Sequence, residues 1–153
     1  MVREVRRNIV SLRVQNPDNL RVAGDAERLA NAVYEFTREF PKEERFGLAS
    51  QMRRAAISIG SNIFEGCGRQ GKRGTESNAS LRSFLFIAQG SSSELLFQLR
   101  IARSQRMGDS TKAELVGKLL AILQGRLRRL ILSLTRRTRF HTASEASVPT
   151  GPR

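Results

Sequence analysis

Four amphipathic helices joined by short connections predict an all-α fold: an antiparallel, up-down-up-down four-helix bundle. Apolar residues recur at steps of three and four along four separate segments, the spacing of one helix face. Pro41, a glycine-rich stretch over 66–74 and Met107-Gly108-Asp109-Ser110 divide those segments where a helix stops or starts. No run of strands competes, and the chain has no internal repeat.

Residues 1–18 read as a basic N-terminal arm, with a short strand or an upstream extension outside the folded core as alternatives, and Arg3, Arg6, Arg7 and Arg13 interleave with apolar residues. Asn16-Pro17-Asp18 marks a turn and a helix start. The first helix is expected over about 19–40, with Val22, Ala26, Leu29, Val33, Phe36 and Phe40 on one face. Pro41 blocks its continuation. A second helix is expected over about 43–65 through Ala49, Met52, Ala56, Ile59 and Ile63. Glu43 and Glu44 suit the positive end of its dipole, and Gly66 and Gly68 suit its end. Gly60 inside it costs about 1 kcal/mol relative to alanine, so packing is expected to hold that turn.

A third helix is expected from Thr75, with Ser77 and Asn78 as alternative caps, to about Arg106. Leu81, Leu85, Ala88, Ser92, Leu95, Leu99 and Ala102 form its inner face. Gly90-Ser91-Ser92-Ser93 at its middle is small enough for a neighbouring helix to come close. The fourth helix is expected over about 110–136, with Val116, Leu119, Leu120, Leu123, Leu127, Leu130 and Leu134 inward. The bundle thus covers 19–138, and residues 139–153 read as a disordered tail.

The 153 residues suit one domain that buries a core without disulfides or metal. Lys and Arg number 27 against 14 acids, and a net charge of +13 draws polyanions, of which nucleic acid is the commonest. Cys67 is the only cysteine and His141 the only histidine, so neither an internal disulfide nor a thiolate metal cluster is expected. A lone thiol suits the reducing cytoplasm. No stretch reaches the roughly 20 apolar residues of a membrane span, and the first 14 residues lack the apolar core of a signal peptide.

Gly66-Cys67-Gly68-Arg69-Gln70-Gly71-Lys72-Arg73 nearly matches a phosphate-binding loop. Arg73 stands where magnesium binding needs Ser or Thr, and the preceding residues run in helical steps rather than as a strand. A basic loop closing the second helix is the better reading, with Arg69, Lys72 and Arg73 as candidate phosphate contacts. Arg54, Ser58, Ser61 and Glu65 form a polar stripe flanked by Arg53 and Asn62, and Glu94 on the third helix is a candidate partner for one of the arginines. The favoured reading of Arg53, Arg54, Asn62, Glu65 and Glu94 is a structural polar network, and the alternative is a ligand or RNA site. No nucleophile, histidine or metal cluster accompanies these acids, so no enzyme and no cofactor is expected.

The fourth helix carries the binding signal. At about 100° per residue, Lys118, Arg128, Arg129, Arg136 and Arg139 fall away from the leucine face. Between 112 and 139 there are eight Lys or Arg and one acid, Glu114. Such a face neutralises phosphates in a salt-dependent way and, lacking aromatics, favours shape or backbone recognition over base stacking. The first helix has the opposite bias, with Asp25, Glu27, Glu35, Glu39, Glu43 and Glu44 outnumbering Arg28, Arg38 and Lys42. Acidic and basic surfaces on one protomer predict a head-to-tail homo-oligomer.

Phe40-Pro41-Lys42-Glu43-Glu44-Arg45-Phe46-Gly47-Leu48, followed by Gln51 to Gly66, resembles the small four-helix-bundle proteins encoded in intervening sequences of 23S ribosomal RNA genes. Ala88-Gln89-Gly90-Ser91-Ser92-Ser93-Glu94-Leu95 is similar to their third-helix signature, and the likeness spans roughly residues 18–135. The resemblance implies a left-handed antiparallel bundle and a relation to accessory proteins of diversity-generating retroelements. Those form five-membered rings whose basic surface engages RNA and a reverse transcriptase. The expected function is that of a non-enzymatic RNA-binding accessory protein, with DNA as a second polyanion, partnering a reverse transcriptase or ribosomal RNA. The alternative is a structural module that binds an acidic protein.

Overall fold

The computed structural model describes residues 17–68 and 75–145. The expected arm up to residue 16, the basic loop over 69–74 and residues 146–153 lie outside the described residues. The described residues form four helices: α1 (Pro17–Thr37), α2 (Leu48–Gly68), α3 (Thr75–Ser104) and α4 (Ser110–Glu145). A single 3-10 turn, Lys42–Arg45, joins α1 to α2. Among the described residues there is no strand. Pro17 opens α1, where its missing N–H leaves no bond unmade, so the helix starts two residues before the expected position 19.

Each helix packs against two others. α1 touches α2 and α4, α3 touches α2 and α4, and the diagonal pairs make no contact among the described residues. Every residue of the expected inner faces is buried except Leu119, which is half-buried at the edge. Ala55, Ala113 and Ile131 join the core as well. Phe36 and Phe40 meet edge to face with centroids 4.9 Å apart. At Gly66 a Cβ would lie 2.8 Å from Leu81 Cδ1 and 3.0 Å from Phe84 Cβ, so glycine sets the close approach of α2 to α3. Gly60 is different: a Cβ there meets nothing within 4 Å, while Ala56, Ile59 and Ile63 beside it are buried and hold the turn.

The helix ends correct three expected boundaries. α1 stops at Thr37 rather than at residue 40. The buried Thr37 hydroxyl donates to the Val33 carbonyl at 2.8 Å, and Pro41 sits in extended backbone at φ −50°, ψ 147°. Glu43 and Glu44 lie in the 3-10 turn, ahead of α2 instead of in its first turn. Glu44 still serves that helix, because its carboxylate accepts the Leu48 N–H at 2.8 Å. α4 runs past the expected end near 136 to Glu145. Beyond Thr135 no glycine or proline interrupts the chain before Pro149, so nothing local stops the helix when the apolar period ends.

The α3–α4 corner is built from backbone geometry. Met107 N–H donates to the Ala102 carbonyl at 2.9 Å and Arg106 N–H to Arg103 at 3.1 Å, a double-bonded C-terminal cap. The cap requires a left-handed residue, and here it is Arg106 at φ 54°. Gly108 follows at φ 66°, where a Cβ would press to 2.9 Å on the Phe36 ring. Asp109 then caps α4 by accepting the Lys112 N–H at 2.8 Å.

Asp25 departs from the expected acidic surface of the first helix. It is 3% exposed, and both its oxygens are engaged, one by Arg28 and the other by Arg126 of α4. Its position one step before Ala26 turns it toward the α1–α4 seam, where the arginine across the seam makes burial tolerable. Ser92, the inward member of the small run on α3, donates to the Gln89 carbonyl at 2.7 Å and accepts Gln124 Nε2 at 3.2 Å.

Two outcomes follow from these contacts. Arg106→Gly relieves a left-handed arginine and is expected to stabilise the fold by about 0.5–1 kcal/mol in urea unfolding at unchanged m-value, whereas a loss contradicts the corner geometry. Asp25→Asn and Arg126→Met are each expected to cost about 1–3 kcal/mol, with the double variant at least about 0.5 kcal/mol better than their sum. Strict additivity would show that the pair does not couple α1 to α4.

Candidate nucleic-acid interface

With the leucine seam turned inward, Lys118, Arg128, Arg129 and Arg136 stand on the exposed side of α4, as expected. The bundle then divides the cations of this helix. Lys118 pairs with Glu114 at 2.7 Å, and that hydrogen bond, with the attraction of the two charges, lowers the Glu114 carboxyl below its ordinary range. Lys112 reaches across to Glu39 at the end of α1, and the bond it donates raises its ammonium above the ordinary lysine value. Arg126 is committed to Asp25. Arg128, Arg129 and Arg136 carry no ion pair among the described residues. Arg139 lies on α4 with its side chain outside the described residues, and so do Arg69, Lys72 and Arg73 altogether.

Sequence reasoning missed two features of this face. Arg21 of α1 shares a concavity of about 460 Å³ with Arg126 and Arg129, which adds a second helix to the basic surface. Leu115, Ile122 and Leu132 are each about half exposed along the same side of α4. The signal for the second was present: Leu119-Leu120-Ala121-Ile122-Leu123 and Leu130-Ile131-Leu132 hold more apolar residues than one face can bury. On α2 and α3, Ile57, Phe64, Phe86, Ile87, Phe97 and Ile101 are exposed too.

The expected acidic face of the first helix is partly engaged within the chain. Asp25 is buried, Glu35 pairs with Arg38 at 3.1 Å, Glu39 holds Lys112 and Glu44 caps α2. Glu27 and Glu43 stay exposed with no ion pair among the described residues, so part of the acidic surface remains open to the α4 arginines of another copy.

The polar stripe of α2 comes together only in part. Arg53, Arg54 and Glu94 line a concavity of about 620 Å³ with Tyr34, Arg45 and Phe46. Arg53 Nε donates to Thr37 Oγ1 at 2.8 Å, and its guanidinium lies 5.1 Å from the Tyr34 ring centroid. Glu94 accepts Gln98 Nε2 at 3.0 Å in place of the expected arginine. Gln98 stands one turn further along the same helix and is nearer to hand. Asn62 Nδ2 donates back to the Ser58 carbonyl at 2.8 Å, and Ser58 meets Ser91 of α3 at 2.9 Å. Glu65 is exposed further along α2. Tyr34, Arg45 and Phe46 were not foreseen, because they join Arg53 only through the α1–α2 corner.

The chemistry these groups offer is anion binding. A guanidinium stays charged at any physiological pH and presents planar donors to phosphate oxygens. Burial pushes the half-buried Cys67 thiol up, which keeps it protonated near neutrality. No helix among the described residues is long and apolar enough to cross a membrane.

No curated protein matches the chain in sequence. The family described as 23S rRNA-intervening sequence protein matches residues 18–129. That stretch holds α1, α2, α3 and the part of α4 that ends at Arg129. It includes the seam residues as far as Leu127, and Arg128 and Arg129 of the α4 arginines that carry no ion pair among the described residues. With most of its length matched in this way, the chain belongs to the 23S rRNA-intervening sequence protein family.

Proposed function

We propose that this protein is a non-enzymatic RNA-binding accessory factor that contacts phosphates through the outer side of α4. The observation that carries the reading is the run of exposed guanidinium groups along α4, Arg128, Arg129 and Arg136, with no ion pair among the described residues. Arg21 extends the set from α1. In a chain of net charge +13, cations left over after internal pairing are the ones available to a polyanion. Membership in a family named for 23S ribosomal RNA intervening sequences supports RNA as that polyanion. A reverse transcriptase partner, as in the accessory proteins of diversity-generating retroelements, belongs to the same proposal.

We infer further that successive helices run in opposite directions. Arg53 meets Thr37, Ser58 meets Ser91, Arg103 meets the Ala113 carbonyl and Arg126 meets Asp25, and these pairings support the up-down sense. We also infer a homo-oligomer, a ring of about five by resemblance to the accessory proteins of diversity-generating retroelements. Its support is the exposed apolar side chains of α2, α3 and α4. Repeating the basic face around a ring multiplies weak contacts. The second reading, a module that docks an acidic protein, draws on Leu115, Ile122 and Leu132 among the arginines.

Duplex RNA titrated at 50 and 200 mM salt is expected to lose about 40-fold in affinity if three phosphates are neutralised. Reversing Arg128, Arg129 and Arg136 to glutamate removes binding and leaves the helical circular-dichroism signal intact. Retained binding in that variant contradicts the proposal. A monomeric mass by light scattering at moderate salt contradicts the oligomer.

A further inference from the structure

Phe46 is 84% exposed, the most exposed large apolar side chain among the described residues. It follows the 3-10 turn directly, and the Arg45 guanidinium sits 5.5 Å from its ring centroid. Across the concavity is Tyr34, 41% exposed, with Arg53 against its ring. Arg53 is fixed by the Thr37 hydroxyl, while Arg45 and Arg54 are exposed. None of the three arginines pairs with an acid among the described residues. The volume, about 620 Å³, lies within the range of about 300–1,000 Å³ typical of small-ligand sites.

Aromatic faces beside uncommitted guanidinium groups match one kind of ligand well. An unpaired nucleotide offers a flat base to stack and a phosphate to pair. A duplex does not, because its bases are already stacked and their faces are out of reach. We propose that this corner is a single-stranded RNA subsite, in which a base stacks on Phe46 and its phosphates meet Arg45 and Arg54. Arg53 holds the wall on which Tyr34 stands. Glu94, the acid in the lining, repels phosphate from the α3 side and presents an acceptor to a base amino group. The subsite rests on the RNA reading for its polymer but uses none of the α4 residues. α2 and α4 are diagonal in the bundle and make no contact, so their outer sides look in opposite directions. One protomer thus offers a duplex-type face and a strand-type corner on different sides.

The test is titration calorimetry on the full chain with two unlabelled probes, a five-nucleotide single strand and an RNA duplex. Phe46→Ala is expected to weaken the single strand about tenfold or more and the duplex less than about twofold, and Phe46→Tyr to restore the first. Arg54→Glu is expected to follow Phe46→Ala. Because both side chains are exposed, unchanged thermal melting identifies the effect as binding. If Phe46→Ala leaves single-strand affinity unchanged, or lowers both probes equally, the subsite is overturned. Binding of an acidic peptide that depends on Phe46, with no Phe46-dependent binding of the strand, overturns it in favour of a protein partner. Reversal of Arg128, Arg129 and Arg136 keeps the two readings apart. Loss of the duplex alone supports both, and single-strand binding in a protein that never binds duplex leaves the corner standing while the α4 face falls.

Discussion

Leu123 and Leu127 are fully buried, and with Val116, Leu120, Leu130 and Leu134 they fix the rotation of α4 about its own axis. Each such side chain stabilises the fold by about 1.5–3 kcal/mol when removed from water. No surface ion pair competes at that scale, since exposed pairs contribute about 0–1 kcal/mol. The apolar seam therefore decides which residues face out, and the arginines take the directions left to them. The other three helices obey the same constraint, and Gly66 lets α2 and α3 close to the separation the seam needs.

Charge is then sorted by proximity. Arg126 points along the α1 side of α4 and is drawn to Asp25, while Arg128 and Arg129 point away from the bundle. Lys112 and Lys118 find Glu39 and Glu114. Among the described residues, the exposed cations left without an ion pair include guanidinium groups on α4 and at the α1–α2 corner, besides Arg21, Arg100 and Arg106. Net charge could not have indicated this division, because it counts the tied cations and the untied ones alike.

Much of the fold was legible in the sequence. The three-four spacing gave the four helices and nearly all of their inner faces, since periodicity reports burial directly. Boundaries were less legible. Pro41 showed that a helix must end, but the Thr37 hydroxyl and the 3-10 turn determine where, and both depend on tertiary contacts. The end of α4 is hard to read from periodicity, because the helix continues to Glu145 after the apolar period stops. At the candidate site, Lys118, Arg128, Arg129 and Arg136 were placed outward from periodicity alone. Asp25 was misplaced because burial of a charge depends on an arginine 101 residues away. Phe46 and Tyr34 carried no sequence signal of a site, as their meeting requires the corner to fold.

Arginine modification with phenylglyoxal, read residue by residue by mass spectrometry with and without RNA, tests the central claim most directly. In the RNA-free protein Arg128, Arg129 and Arg136 are expected to react quickly and Arg126 slowly, and RNA is expected to protect the first three. Slow reaction of those three in the free protein would place them against protein, and rapid reaction unchanged by RNA would separate the face from the nucleic acid. Either result contradicts a leucine seam that sets arginines outward to meet phosphate.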